Sequence, residues 1–189
     1  MRMALITLLS ACAASYAGEM FTIVQGSSSN HVTFTSEAPL EEIVGKTNVV
    51  TGFVMLPDGS TQGNAEIHVD LASLDTGMSL RNKHMRDNHL ETDKFPEAVF
   101  KLTSLDIPGG TLADGQKTAV NLTGTLMMHG ISREINPISW LTVNGDELLV
   151  ESKFSVKLQD FNITRPEFLI MKLAEEQRID VKLVGTRSK

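Results

Sequence analysis

The chain has 189 residues, a length that suits one domain, and 41% of them are hydrophobic against 21% charged, which marks a globular rather than a disordered sequence. Lys and Arg number 17 against 23 Asp and Glu, a formal charge of −6 with no basic block, so the clustered cations that nucleic-acid phosphates demand are missing. A single cysteine excludes a disulfide within the chain and any Cys-based zinc finger, and 8 Phe with 1 Trp and 1 Tyr leave little for stacking bases.

The first stretch, 1–17, has the layout of a secretory signal. Arg2 gives the charged head, 3–9 a short apolar run, and small residues follow to Ala17, with cleavage placed before Gly18. The run is far shorter than the roughly 20 apolar residues a membrane span needs. The only cysteine lies in Leu9-Ser10-Ala11-Cys12, which is similar to a bacterial lipobox. Two readings stand: Cys12 carries a lipid and tethers the protein to a membrane, or it leaves with the signal. Both place the remaining chain, 18–189, outside the cytoplasm as a single domain.

From there the recurring period is two. Strands are predicted over 21–24, 31–35 and 49–55. In 64–71, Ala65, Ile67, Val69 and Leu71 alternate with polar residues, and a strand over 99–103 follows. In 118–126, Val120, Leu122 and Leu126 share one face. A strand over 135–143 precedes two further alternating runs, 150–158 (Val150, Phe154, Val156) and 178–183 (Ile179, Val181, Leu183). Turn signals separate them: Pro57-Asp58-Gly59, Pro108-Gly109-Gly110, Asp114-Gly115 and Asn144-Gly145-Asp146. Eight or nine strands joined by such turns predict an all-β antiparallel sandwich or barrel. Two stretches break the rhythm: 75–92 reads as a long loop with one or two helical turns, and 166–176 as a short helix or an apolar loop crossing an opening.

Three motifs carry a resemblance. Arg81-Asn82-Lys83-His84-Met85-Arg86 is followed by Phe95-Pro96-Glu97-Ala98-Val99-Phe100; the second motif is the hairpin Gly124–Arg133, and the third is Phe154–Ile163 with its Asp160-Phe161-Asn162-Ile163 corner. In this order and spacing they resemble the YceI-like family of bacterial periplasmic proteins from about residue 48 onward. The resemblance implies a lipocalin-like antiparallel barrel of about eight strands that binds a long isoprenoid lipid, polyprenyl or quinone, without catalysis or cofactor. The front departs from the pattern: Phe21-Thr22-Ile23-Val24 lacks the family's Asp, and residues 36–43 stand where a His-containing segment belongs.

On this reading the ligand's tail lies against Phe34, Ile67, Val69, Phe100, Leu122, Phe154, Val156 and Phe161. Arg81, His84, Met85, Arg86, Phe168 and Met171 border the opening. A ligand of roughly 40 carbons at about −0.3 kcal/mol per atom gives around −12 kcal/mol, or nanomolar affinity, without any charged contact. Methionines such as Met85, Met127, Met128 and Met171 suit a surface that adapts to a flexible chain.

Two rivals remain. A metal-dependent hydrolase would use His84, His89 and a carboxylate: five positions along an α-helix turn the two imidazoles about 140° apart, whereas a loop lets them converge, joined by His68 or His129. A ligand-free adhesion or stress-response module would have its barrel packed solid. The sequence holds no Gly-x-Ser-x-Gly elbow and no phosphate-binding glycine loop.

Overall fold

The structure, a computed structural model, describes residues 18–38, 41–57, 63–168 and 171–188, with the backbone alone for 167, 168, 171 and 172. The expected signal segment and Cys12 lie outside the described residues.

Thirteen strands follow in chain order: β1 Glu19–Ile23, β2 His31–Glu37, β3 Glu42–Thr47, β4 Val50–Leu56, β5 Asn64–Asp70, β6 Glu97–Asp106, β7 Thr118–Met128, β8 Ile131–Ile135, β9 Ile138–Asn144, β10 Glu147–Lys157, β11 Glu167–Phe168, β12 Met171–Lys172 and β13 Glu176–Arg187. Eight of them form a ring in the order β1-β4-β5-β6-β7-β9-β10-β13, closed by β13 returning to β1. Among the described residues every pairing is antiparallel and one short α-helix is present, α1 Ser79–His84, so the expected all-β barrel of about eight strands is the fold found. Strand β13, paired with β10 along one edge, closes the ring because its other edge is long enough to serve two partners. Its Gln177–Lys182 half pairs with β2 and its Gly185–Arg187 end with β1.

Three local devices were not visible as strand rhythm. The run read as one strand over 135–143 is two, β8 and β9, interrupted at Asn136-Pro137, because proline has no N–H to give a ladder. The bulge in β6 between Leu102 and Ser104 shifts the inward positions from Phe100 and Leu102 to Leu105 and Ile107, since one extra residue reverses the face of everything after it. Strand β3 has no strand rhythm in the sequence, because Gly45 breaks its apolar pattern, yet it pairs residue for residue with β2. At the β7–β8 turn both His129 (φ 52°) and Gly130 (φ 73°) are left-handed, the two-residue hairpin geometry that matches strand twist.

The interior is unevenly filled. At one end Phe21, Ile23, Val54, Leu105, Val120, Leu141, Leu148 and Leu183 pack together, nearly without solvent contact, and close the barrel. A second, smaller cluster of Leu126, Val156, Phe161 and Ile163 fastens the 3-10 turn Leu158–Phe161 against the wall. The segment between β5 and β6 crosses the other end. It begins with a 3-10 turn, Leu71–Ser73, bridges to the free edge of β3 through Lys46 and Asp75, and then enters α1 and a π-helical turn, Met85–His89. Residues 166–176, expected as a helix or apolar loop, hold the small hairpin β11–β12.

Candidate functional site

Because alternate residues of every strand point inward, the ring encloses a lumen, and its wall is built almost wholly from hydrocarbon. The cavity has a volume of about 910 Å³. Val54, Leu105, Leu141 and Leu183 form its floor on the packed end, and Ala38, Glu41, Met78, Leu80, Arg81, Pro166 and Leu173 stand around its mouth.

Phe34, Ile67, Val69, Phe100, Leu122, Phe154 and Val156 all line this lumen. Phe161 does not. Its ring is 2% exposed and buried in the second cluster, because the 3-10 turn takes it off the strand face that the β10 alternation suggested. Arg81, His84 and Met85 line the cavity near its mouth. Arg86 points elsewhere, with its guanidinium 3.5 Å from the Ala72 carbonyl. The side chains of Phe168 and Met171 lie outside the described residues. Met78 and Met128 line the lumen beside Met85, whereas Met127 faces out, 42% exposed. Trp140 is on the outer wall under the Lys117 ammonium, 5.0 Å from its ring centre.

What keeps the lumen open is a pair of glycines. A Cβ on Gly45 would sit 2.2 Å from the Phe34 ring, and one on Gly124 would sit 2.2 Å from the Phe100 ring. Each aromatic ring therefore lies flat over a glycine on the neighbouring strand, lining the wall instead of projecting across the space. Alternation names which residues face inward; only the glycines opposite them say how far each ring reaches.

The π-helical turn settles the geometry of the two histidines. Leu90 N–H donates to the Met85 carbonyl, a five-residue step, so residues five apart fall on one face. His84 and His89 both line the lumen, as do Met85 and Leu90, although an α-helix would have split each pair. His89 Nδ1 lies 2.9 Å from the Thr164 carbonyl, and Asp87 is ion-paired with Lys83, which lowers its carboxyl pKa. His68 sits on the outer face between Glu97 (2.9 Å) and Glu66 (3.0 Å); the hydrogen bond to Glu97 raises its pKa, desolvation opposes it, and the hydrogen bond to Glu66 adds a smaller lift. His129 sits in the β7–β8 turn, 3.0 Å from both the Phe161 carbonyl and Glu91. Among the described residues no three His, Cys, Asp or Glu side chains converge on a common point.

Beside the apolar residues of the mouth, the polar groups around Asn82 and Arg81 bond to one another. Asn82 anchors them: its Oδ1 accepts from Thr76 N (2.8 Å) and Thr76 Oγ1 (2.7 Å), while its Nδ2 donates to Asp75 (2.7 Å) and holds that carboxyl below the usual range, with help from the Gly77 N–H. Arg81 donates to Thr76 through Nε (3.0 Å) and through a terminal nitrogen to the Thr76 carbonyl (3.2 Å), and its other end pairs with Glu41 at 3.3 Å.

A closed antiparallel barrel with a capped apolar lumen defines a class of small-ligand container. Within that class the chain belongs to the YceI-like family, whose model matches residues 21–185. It is 29% identical over 108 residues to a UPF0312 protein of Photorhabdus laumondii, covering 53% of this chain and 52% of that one. It is 32% identical over 76 residues to a UPF0312 protein of Shewanella denitrificans, covering 40% and 36%. The chain thus spans about half the length of the first relative and about a third of the second. Among solved structures, the fold is similar to a polyisoprenoid binding domain from Saccharophagus degradans implicated in plant cell wall breakdown (TM-score 0.71, 18% identity, 92% of this chain and 99% of that one). It is also similar to BcnA of Burkholderia cenocepacia (TM-score 0.71, 22% identity, 83% and 96%).

Proposed function

We propose that this protein is a non-catalytic, extracytoplasmic carrier or sequestering protein that holds the chain of a long isoprenoid lipid in its barrel. The observation that carries the reading is the 910 Å³ apolar lumen, open at one end and packed shut at the other. At about 30 Å³ per water-sized group that volume accepts on the order of 30 carbons, fewer than the 40 assumed from sequence. At about −0.3 kcal/mol per atom the gain is around −9 kcal/mol, a submicromolar affinity from hydrocarbon contact alone. Seven of the eight residues expected along the tail line that space. The polyisoprenoid named for the Saccharophagus domain is of the chemical class such a tunnel fits.

The test is native mass spectrometry and solvent extraction of protein purified from its own host. A copurifying isoprenoid in stoichiometric amount is the expected result. Protein that carries no lipid and takes up no added prenol or quinone would overturn the proposal.

A further inference from the structure

One polar side chain interrupts the hydrocarbon deep in the lumen. Ser152 lines the cavity between Val150 and Phe154 on β10 and pairs across the wall with Val181. Gln177, the lumen-lining polar residue at the start of β13, is four residues nearer the mouth than Val181, so Ser152 lies about 13 Å further in. Its hydroxyl is 2.8 Å from that of its cross-strand partner Ser139, and Ser139 Oγ in turn donates to the Pro137 carbonyl at 3.2 Å. Ser139 has one proton and two acceptors in reach, Ser152 Oγ and the Pro137 carbonyl; with that proton on Pro137, the bond between the serines is donated by Ser152. In that arrangement Ser152, a cavity-lining residue 8% exposed, keeps lone pairs free to accept.

The mouth is built the other way. The Arg81 guanidinium is engaged by Thr76 and Glu41, and beside it Met78 and Leu80 stand 54% and 65% exposed at the rim of the lumen. A ligand seated with its polar end at the mouth would leave this apolar lip bare and the buried acceptor unmet.

We propose that Ser152 is a ligand-binding residue that accepts a hydrogen bond from a hydroxyl of the ligand, so that an isoprenoid alcohol enters polar end first and lays the end of its tail on the Met78–Leu80 lip. This rests on the lumen-binding reading above and adds both an orientation and a preference: a hydroxyl donor is favoured over a head that only accepts, because serving the latter reverses the serine relay and gives up the bond to Pro137.

The experiment compares geranylgeraniol, its methyl ether and its pyrenebutyrate ester on the wild-type protein by titration calorimetry. The alcohol should bind about two- to twelvefold tighter than the ether, the range of one neutral hydrogen bond. The ester, whose bulk cannot pass inward, should not compete. Ser152→Ala, which leaves Ser139 bonded to Pro137, should equalise alcohol and ether by weakening only the alcohol. Equal affinity of alcohol and ether for the wild type, or an ester that binds as well as the alcohol, overturns the orientation while leaving the lumen reading intact. Failure of all three probes to bind overturns both.

Discussion

Gly45→Ala tests the claim that glycines hold the barrel hollow. The new methyl would lie 2.2, 2.5 and 3.0 Å from three carbons of the Phe34 ring, all of them side-chain atoms, so the strand pair can stay in place while the ring swings off the wall. The ring then enters the lumen. Three or four water-sized volumes of about 30 Å³ each amount to roughly 100 Å³ of the 910 Å³ available. That displaces about three carbons of a bound chain, worth around 1 kcal/mol at 0.3 kcal/mol per atom, or about fivefold in affinity. Overpacking adds roughly 1–3 kcal/mol of destabilisation, a fall of several degrees in Tm for a protein of this size. The assay is calorimetric titration of a prenol with thermal melts of Gly45→Ala, Phe34→Ala and the double variant. Removing the ring should cancel the binding penalty of the added methyl, so the double variant should bind at least as well as wild type. A Gly45→Ala protein with unchanged affinity and Tm would refute the argument that the ring needs the glycine beneath it.

Three other outcomes follow from the same geometry. Phe161→Ala should cost about 3–5 kcal/mol in stability, since it empties the second cluster, yet leave prenol affinity within a factor of about two at temperatures where the variant is folded; Phe154→Ala, which lines the lumen, should change affinity as well. Asn82→Ala removes three hydrogen bonds that knit Asp75, Thr76 and α1, and should cost about 2–3 kcal/mol while speeding amide exchange across 76–90; unchanged exchange there would show that the segment is anchored elsewhere. His68 should titrate by NMR above the usual value of about 6.5, and Glu97→Gln should bring it down. Because its folded pKa is raised, its contribution to stability is complete below the unfolded pKa and is lost as pH rises through the folded one. At one-third exposure of the side chain it amounts to under about 1 kcal/mol.

Alternation in the sequence left an all-β antiparallel sandwich or barrel open; the resemblance of three motifs to the YceI-like family pointed to the barrel, and the two together to most of its inner face. The alternation in 64–71, 118–126 and 150–158 is a local consequence of strand geometry, so it put Ile67 with Val69 and Phe154 with Val156 on shared faces, and gave Leu122 its face, without any knowledge of partners; the resemblance supplied which face is inward. Alternation failed where the backbone leaves that period: at Phe161, carried off the face by a 3-10 turn, and beyond the β6 bulge, where Leu105 and Ile107 inherit the inward side. Likewise, assuming an α-helix separated His84 from His89, whereas a π-helical turn aligns them.

Tertiary structure alone decided whether the barrel is hollow. Inward-pointing hydrocarbon can fill a lumen or line one, and the difference rests on pairs far apart in the chain or on different strands: Gly45 under Phe34, Gly124 under Phe100, Ser139 beside Ser152. No local pattern encodes which glycine faces which ring, because register between strands is fixed only when the sheet curls and closes β13 onto β1.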